Sequence, residues 1–362
     1  MLFRITAVVA LCATLPKTAH AQTRKTTHVI WVMTDGLRPQ EIFQGADAAL
    51  LTAQNHVTYR THIKDEYWRE TAEARRVALL PFLWSTVARK GQIYGNRALG
   101  SEALVTNGFN LSYPGYNETL TGAPDPRIDS NDRNYNPNAT VLEWLDQKPA
   151  FHGKIAAFAA WDVFPFIFNK FPVNAGYAPF LGLPGNPKIQ VLNELKAQAP
   201  RDWSDEPFDH LTFQTALEYL QQRKPRVLFL SLGETDEWAH DGKYNEYLRS
   251  AHRVDEFLRI LWETVQSVPE YRGTTTLVFS TDHGRGEGES SWRTHGKGTP
   301  ESKYMWMAFL GPDTPALGER KKIEPVTQSQ IAATVAALLG EDYAGAKPGV
   351  GKVMGDAVGA TR

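Results

Sequence analysis

Six residues in this sequence have the types and placement to hold divalent metal ions. Asp35 stands in Thr34-Asp35-Gly36, directly after the apolar run His28 to Met33. Asp236 and His240, four residues apart, follow the run Arg226 to Leu232. Asp282 and His283 are adjacent and end the run Thr274 to Ser280, and His295 comes twelve residues after His283. Imidazole nitrogen and carboxylate oxygen together suit zinc, whereas carboxylate-rich sets suit manganese or magnesium. Three Asp and three His can supply two such ions. Taken singly, Asp-Gly after a strand is an ordinary turn signal, and Asp236 with His240 could be a helix start with a surface His. The adjacent pair Asp282-His283 is the more specific element. His28, His56, His62, His152, His210 and His252 have no comparable context and read as surface or satisfied core residues.

These residues can meet only if the elements before them share one sheet. Short apolar runs rich in β-formers predict strands over His28 to Met33, Lys154 to Ala160, Arg226 to Leu232, Thr274 to Ser280 and Met305 to Leu310. Helices are predicted over Leu79 to Lys90, with Gly91 as stop, over Val141 to Asp146 with Asn138 as cap, over Leu211 to Arg223, and over Ile331 to Leu339. A long helix follows His240. Its apolar stripe is Tyr247, Leu248, Ala251, Val254, Leu258, Leu261 and Val265. Alternation of this kind predicts an α/β fold: a mostly parallel central sheet with helices on both faces. In such sheets, sites form beyond the carboxyl ends of strands, which is where the six residues stand. Residues 151–207, rich in Pro, Gly, Phe and Trp, read as a small irregular insert, either a substrate-facing lid or a surface excursion packed by its own aromatics.

Composition narrows the function. The 362 residues carry 39 Lys+Arg against 40 Asp+Glu, so no basic excess favours a nucleic-acid polymer as partner. Arg4, the apolar stretch Ile5 to Leu15 and the small-x-small signal Ala19-His20-Ala21 predict a signal peptide over 1–21. The working chain is then one catalytic domain over 22–362, exported to the periplasm or secreted. The single Cys of the sequence, Cys12, falls within that leader, which leaves no thiolate for catalysis or metal binding. No later stretch is apolar for long enough to predict a membrane span.

The order of these motifs resembles the alkaline phosphatase superfamily, in particular its nucleotide pyrophosphatase/phosphodiesterase and phosphonoacetate hydrolase branches. Val32-Met33-Thr34-Asp35-Gly36-Leu37-Arg38 resembles the first strand and metal Asp. Ser112-Tyr113-Pro114, continuing to Thr119-Leu120-Thr121-Gly122, resembles the nucleophile segment. Glu234 to His240 resembles the Pro-Asp-x-x-Gly-His motif, with Thr235 and Ala239 as departures that spare the ligands. Thr281 to Gly284 and His295-Gly296 resemble the last metal motifs, and Gln328 to Gly340 the closing helix.

The resemblance implies two divalent metals, zinc first and manganese as the alternative. Asp236, His240 and His295 would hold one; Asp35, Asp282 and His283 would hold the other, with Ser112 as its nucleophilic ligand. Thr106 and Ser101 are the fallback hydroxyls. Asn131, in a segment resembling the family's phosphoryl-binding Asn, is the candidate for that role, and Asn134 is its rival. The implied activity is hydrolysis of small phosphoric esters, mono- or diester, through phosphoserine at position 112. A phosphonate hydrolase on the same site is the alternative, followed by a non-catalytic metal-binding member of the fold. Ser112-Tyr113-Pro114-Gly115-Tyr116 lacks the Ser and Arg of the sulfatase signature. The 124-residue separation of Ser112 and Asp236 leaves little room for the inserted domain of the phosphoglycerate mutases. Arg38, Arg133 and Arg285 read as phosphate-holding groups or as solvated charges. Trp161, Phe164, Phe166, Phe168, Phe171 and Phe180 read as a stacking surface or as core.

Overall fold

The computed structural model describes residues 24–359. The leader over 1–21 and Cys12 lie outside them. An eight-stranded sheet runs through the molecule, built from β1 (His28–Thr34), β2 (Gln92–Tyr94), β4 (Ile155–Ala159), β5 (Asn174–Ala175), β6 (Val227–Leu232), β7 (Thr275–Thr281), β8 (Met307–Leu310) and β9 (Gly318–Glu319). The order is β5-β4-β6-β1-β7-β8-β2-β9, and β3 (Ala103–Leu104) pairs separately with β10 (Val326–Thr327). All pairs in the large sheet are parallel except β7 with β8 and β2 with β8.

Period-two alternation divides the apolar residues of each strand between the two faces. Ile30, Val32, Leu228, Leu230 and Leu232 join the core beneath the Tyr244–Ser267 helix. Val29, Trp31, Met33, Val227 and Phe229 join the opposite core, beneath the Gln330–Leu338 helix. Both faces are covered, which is why these strands read as continuous apolar runs. Every residue of the stripe Tyr247 to Val265 is buried. Among the described residues, no helix is long and apolar enough to cross a membrane.

Three local expectations change. The helix expected over Leu79 to Lys90 is divided: Ala72–Leu79 ends at Leu80, and a π-helical turn, Leu83–Val87, runs into Ala88–Lys90. Pro81 lies at the break, where it offers no N–H and restricts the residue before it. The Val141–Asp146 helix is capped by Thr140 rather than Asn138, through a reciprocal capping box with Glu143. Within 151–207 the chain supplies β4, β5 and a twelve-residue helix, Pro187–Gln198, that no apolar period announced.

Candidate active site

β6, β1 and β7 are adjacent at the centre of the sheet and end at one level. Thr34 pairs with Leu232 on one side and Thr281 on the other. The next residues, Asp35, Gly233 and Asp282, therefore leave the sheet together. The Asp35 N–H donates to the Leu232 carbonyl at 2.9 Å, and Thr34 Oγ1 meets Thr235 Oγ1 at 2.9 Å. Gly36 has φ +58°, and a Cβ there would collide with Asp236 Oδ1. The chain can turn away from Asp35 only because that side chain is missing.

The six predicted metal ligands converge. His240 Nε2 lies 3.0 Å from Asp236 Oδ2 and 3.1 Å from His295 Nε2. His283 Nε2 lies 3.3 Å from Asp35 Oδ1, 3.3 Å from Asp282 Oδ2 and 3.9 Å from Asp236 Oδ1. Asp236, His240 and His295 form one group close enough to hold an ion, and Asp35, Asp236 and His283 form another. Asp236 thus stands in both. The distal ring nitrogens are oriented by backbone: His283 Nδ1 faces the Gly284 carbonyl and His295 Nδ1 the Asn110 carbonyl, each at 2.9 Å. With Nδ1 carrying the proton toward those carbonyls, each Nε2 presents a lone pair to the cluster.

Two buried carboxylate oxygens in the cluster, Asp35 Oδ1 and Asp282 Oδ2, have no hydrogen-bond partner. Buried acceptors are normally satisfied, so these two fit a pair of positions completed by a cation. The electrostatics agree. Burial, then the charge of Asp236, pushes the Asp35 carboxyl well above its ordinary range, and burial followed by Asp35 does the same to Asp282. Burial also opposes ionisation of Asp236, but Arg285, His240 and His295 outweigh it and hold that carboxyl well below its usual range. Burial, then His283, lowers His295 well below the ordinary imidazole value. This crowding of carboxylates and imidazole nitrogens at one point suits divalent cations.

Ser112 begins the Ser112–Thr121 helix, and its Oγ is 3.3 Å from His283 Nε2. It lines one cavity with Asp35, Asn131, Asp236, His240 and His295. Asn131 Oδ1 accepts the Tyr113 N–H at 2.9 Å, which ties Asn131 to the same helix start. Asn134 is not in that wall; its carbonyl accepts from the Tyr113 hydroxyl. The fallback hydroxyls are engaged elsewhere. Thr106 Oγ1 donates to Glu118, and Ser101 Oγ accepts the Gly95 N–H.

The three arginines separate. Arg38 and Arg285 are each 1 % exposed, so neither is a solvated charge. Arg38 pairs with Glu41, and Arg285 pairs with Asp236. Arg133 is exposed, lines the cavity and pairs with Asp162 at 2.7 Å. Of the aromatics, Phe164, Phe168 and Phe171 are buried in the core around Phe229, Phe166 packs at its edge, and Phe180 packs on Phe158 and Tyr219. Only Trp161 of that group lines the cavity.

Sequence reasoning missed several supporting residues. Tyr116 donates to Asp35 Oδ2 at 3.2 Å and accepts from Ser231 at 2.9 Å. Glu118, fully buried, gathers Thr106, Asn107 and Ser329, and so fixes the loop whose Asn110 carbonyl orients His295. The spacing of Tyr116 and Glu118 from Ser112, one turn and nearly two turns along one helix, was the available signal. Asp205, Glu206 and Glu237 also line the cavity, and nothing local in the sequence marked them.

No family model and no curated protein matches the chain. Solved structures do match it at low identity. The alkaline phosphatase PafA superposes with a TM-score of 0.60 at 11 % identity, covering 93 % of this chain and 100 % of its own. A putative sulfatase from Bacteroides thetaiotaomicron gives 0.54 at 13 % identity, covering 94 % and 76 %. An alkaline phosphatase superfamily protein from Vibrio parahaemolyticus gives 0.50 at 12 % identity, covering 88 % and 68 %. This chain has the α/β fold of the alkaline phosphatase superfamily.

Proposed function

We propose that this chain is an exported, two-metal hydrolase of small phosphoric esters that works through phosphoserine at Ser112. One observation carries the reading: the Ser112 hydroxyl stands 3.3 Å from His283 Nε2, at the edge of a cluster whose Asp35 and Asp282 oxygens lack partners. Asp236, His240 and His295 would hold one ion and Asp35, Asp282 and His283 the other, with zinc favoured by the mixed nitrogen and oxygen donors. When bound, two dications neutralise phosphoryl oxygens and lower the pKa of a coordinated hydroxyl.

The protein's own groups do the rest. The Ser112–Thr121 helix places Ser112 at its first turn, where the positive end of the helix dipole favours an anionic phosphoryl group. Tyr113 occupies Asn131 Oδ1, which leaves the Asn131 amide N–H groups as donors to a phosphoryl oxygen. Ser112 attacks phosphorus in line and the ester oxygen departs as the alcohol; water then cleaves phosphoserine and restores Ser112. The shared fold does not choose between phosphate and sulfate esters. The segment at Ser112, without the sulfatase Ser and Arg, favours phosphate. Residues 1–21 act as the export leader and 22–362 as the catalytic unit, with no nucleic-acid polymer among the substrates.

The test is metal analysis of the purified mature protein, followed by assays with p-nitrophenyl phosphate and bis-p-nitrophenyl phosphate. About two zinc per chain and turnover of either ester is the expected result. Bound metal with cleavage of a phosphonate alone would move the assignment to P–C bonds. A protein that binds no metal and turns over no ester would overturn it.

A further inference from the structure

The cavity beside Ser112 has a wall that none of the proposed ligands occupies. Asp205, Glu206 and Glu237 line it with Trp161, in a space of about 330 Å³. Glu206 is 5 % exposed, and its buried Oε2 has no hydrogen-bond partner. Its carboxylate lies over Gly233, where any Cβ would overlap Oε2. Glu237 stands on the first turn of the Glu234–His240 helix. Asp205 Oδ2 accepts the Trp161 indole N–H at 3.0 Å. Among the described residues none of the three carboxylates is ion-paired, and Arg133, the one Arg or Lys of the cavity lining, is already held by Asp162.

A buried carboxylate with neither a hydrogen bond nor a counter-charge is costly as the anion; burial, then the charge of Glu237, pushes the Glu206 carboxyl well above its ordinary range, and a bound cation would favour its ionised form. An inorganic ion would need donors drawn close together. The two groupings tight enough for that contain Asp35, Asp236, His240, His283 and His295 and none of this wall. Donors spread along a wall beside an indole suit a larger, more weakly hydrated organic cation, which an aromatic face also attracts.

We propose that the phosphoesters cleaved here carry an ammonium group on the leaving alcohol, of the choline or ethanolamine type, held by Glu206, Glu237 and Asp205 beside Trp161. This rests on the hydrolase reading above. The substrate is then recognised at both ends: its anionic phosphoryl group by the metal cluster and Ser112, its cationic end by the acidic wall. Hydrolysis consumes water and releases phosphate and the amino alcohol. The same wall repels leaving groups that bear further phosphates.

The experiment compares phosphocholine with its uncharged isostere, 3,3-dimethylbutyl phosphate, in the wild type and in Glu206→Gln and Glu237→Gln. The wild type should prefer phosphocholine in kcat/KM by about tenfold or more, and each substitution should collapse that ratio toward one. Calorimetric titration of choline into the metal-free protein gives a second readout, with binding in the wild type and its loss in Glu206→Gln. Asp205→Asn, at a half-buried position, serves if Glu206→Gln does not fold. Turnover of p-nitrophenyl phosphate without preference for phosphocholine would overturn this inference and leave the hydrolase reading intact. Loss of the hydrolase reading would instead show as inert p-nitrophenyl esters, with choline binding still reporting on the wall. Binding of a third zinc that Glu206→Gln removes, in a protein that ignores choline, would also overturn it.

Discussion

Ser112 lies at the meeting of two devices, a helix start and the lone pair of His283 Nε2. Removing its hydroxyl deletes the attacking oxygen and leaves the six Asp and His ligands in place. Ser112→Ala should therefore lower kcat by on the order of a thousandfold or more, with zinc content by elemental analysis nearly unchanged. A variant that retains turnover would return the nucleophile to an open question, and Thr106 could not take it, since Glu118 already holds that hydroxyl. The convergence of the six candidate ligands and Ser112 was legible because each is marked by a local motif. The ion pair of Arg285 and the roles of Tyr116 and Glu206 were not. Arg285 reaches the cluster through Asp236, 49 positions away, Tyr116 through Asp35, 81 positions away, and Glu206 lies in a wall closed by a later helix.

Two elements position the chemistry by close approach. Gly115 sits in the nucleophile helix, and a Cβ there would lie 2.5 Å from the Asp282 carbonyl oxygen, which Gln328 also holds at 2.8 Å. Helix propensity alone predicts that Gly115→Ala stabilises by roughly 1 kcal/mol. The contact predicts the reverse: a lower melting temperature by thermal scan, and activity reduced by about tenfold or more as Ser112 is pushed off the end of β7. The Pro187–Gln198 helix carries a different load. Lys196 is 2 % exposed, its nearest acceptors are Asn174 Oδ1 at 3.4 Å and the Ala178 carbonyl at 3.5 Å, and burial pushes its pKa down to about 8. A lowered lysine pKa means that the folded state gives up a proton the unfolded chain keeps. Stability from this group is full above about 10.5, falls as pH drops toward 8 and is flat below. Lys196→Met should therefore raise the melting temperature by several degrees at pH 7, with the gain shrinking between pH 8 and 10.5. An equal gain at every pH would show that packing, not charge burial, sets the effect. Element existence was legible for the buried strands and for the Tyr244–Ser267 helix, whose apolar stripe is continuous. It was not legible for Pro187–Gln198, where Ile189 and Leu192 are buried but Val191 and Leu195 are exposed, so the apolar residues mark no single face.

Across the whole molecule, the Asp and His cluster joins residues that follow three strands and the loop bearing His295 at one point. Chelation should abolish turnover reversibly, with zinc restoring it. It should also lower the melting temperature, because an ion bound only by the folded state at a hundredfold excess over its Kd contributes about 2.7 kcal/mol. Unchanged melting after verified metal removal would mean that the cluster adds nothing to the fold. The layer architecture and the candidate ligands can be read from the sequence alone, because both are written locally: buried strands as apolar runs, candidate ligands as the residues that follow them. It took the folded chain to show that β6, β1 and β7 are neighbours ending at one level, that Asp236 stands in both candidate ligand groups, and that Asn131 rather than Asn134 faces the cavity. The fold also brings Asp205, Glu206 and Glu237 into the cavity that the candidate ligands line. These depend on strand order and on contacts between residues far apart in the chain, which local periodicity and spacing do not encode.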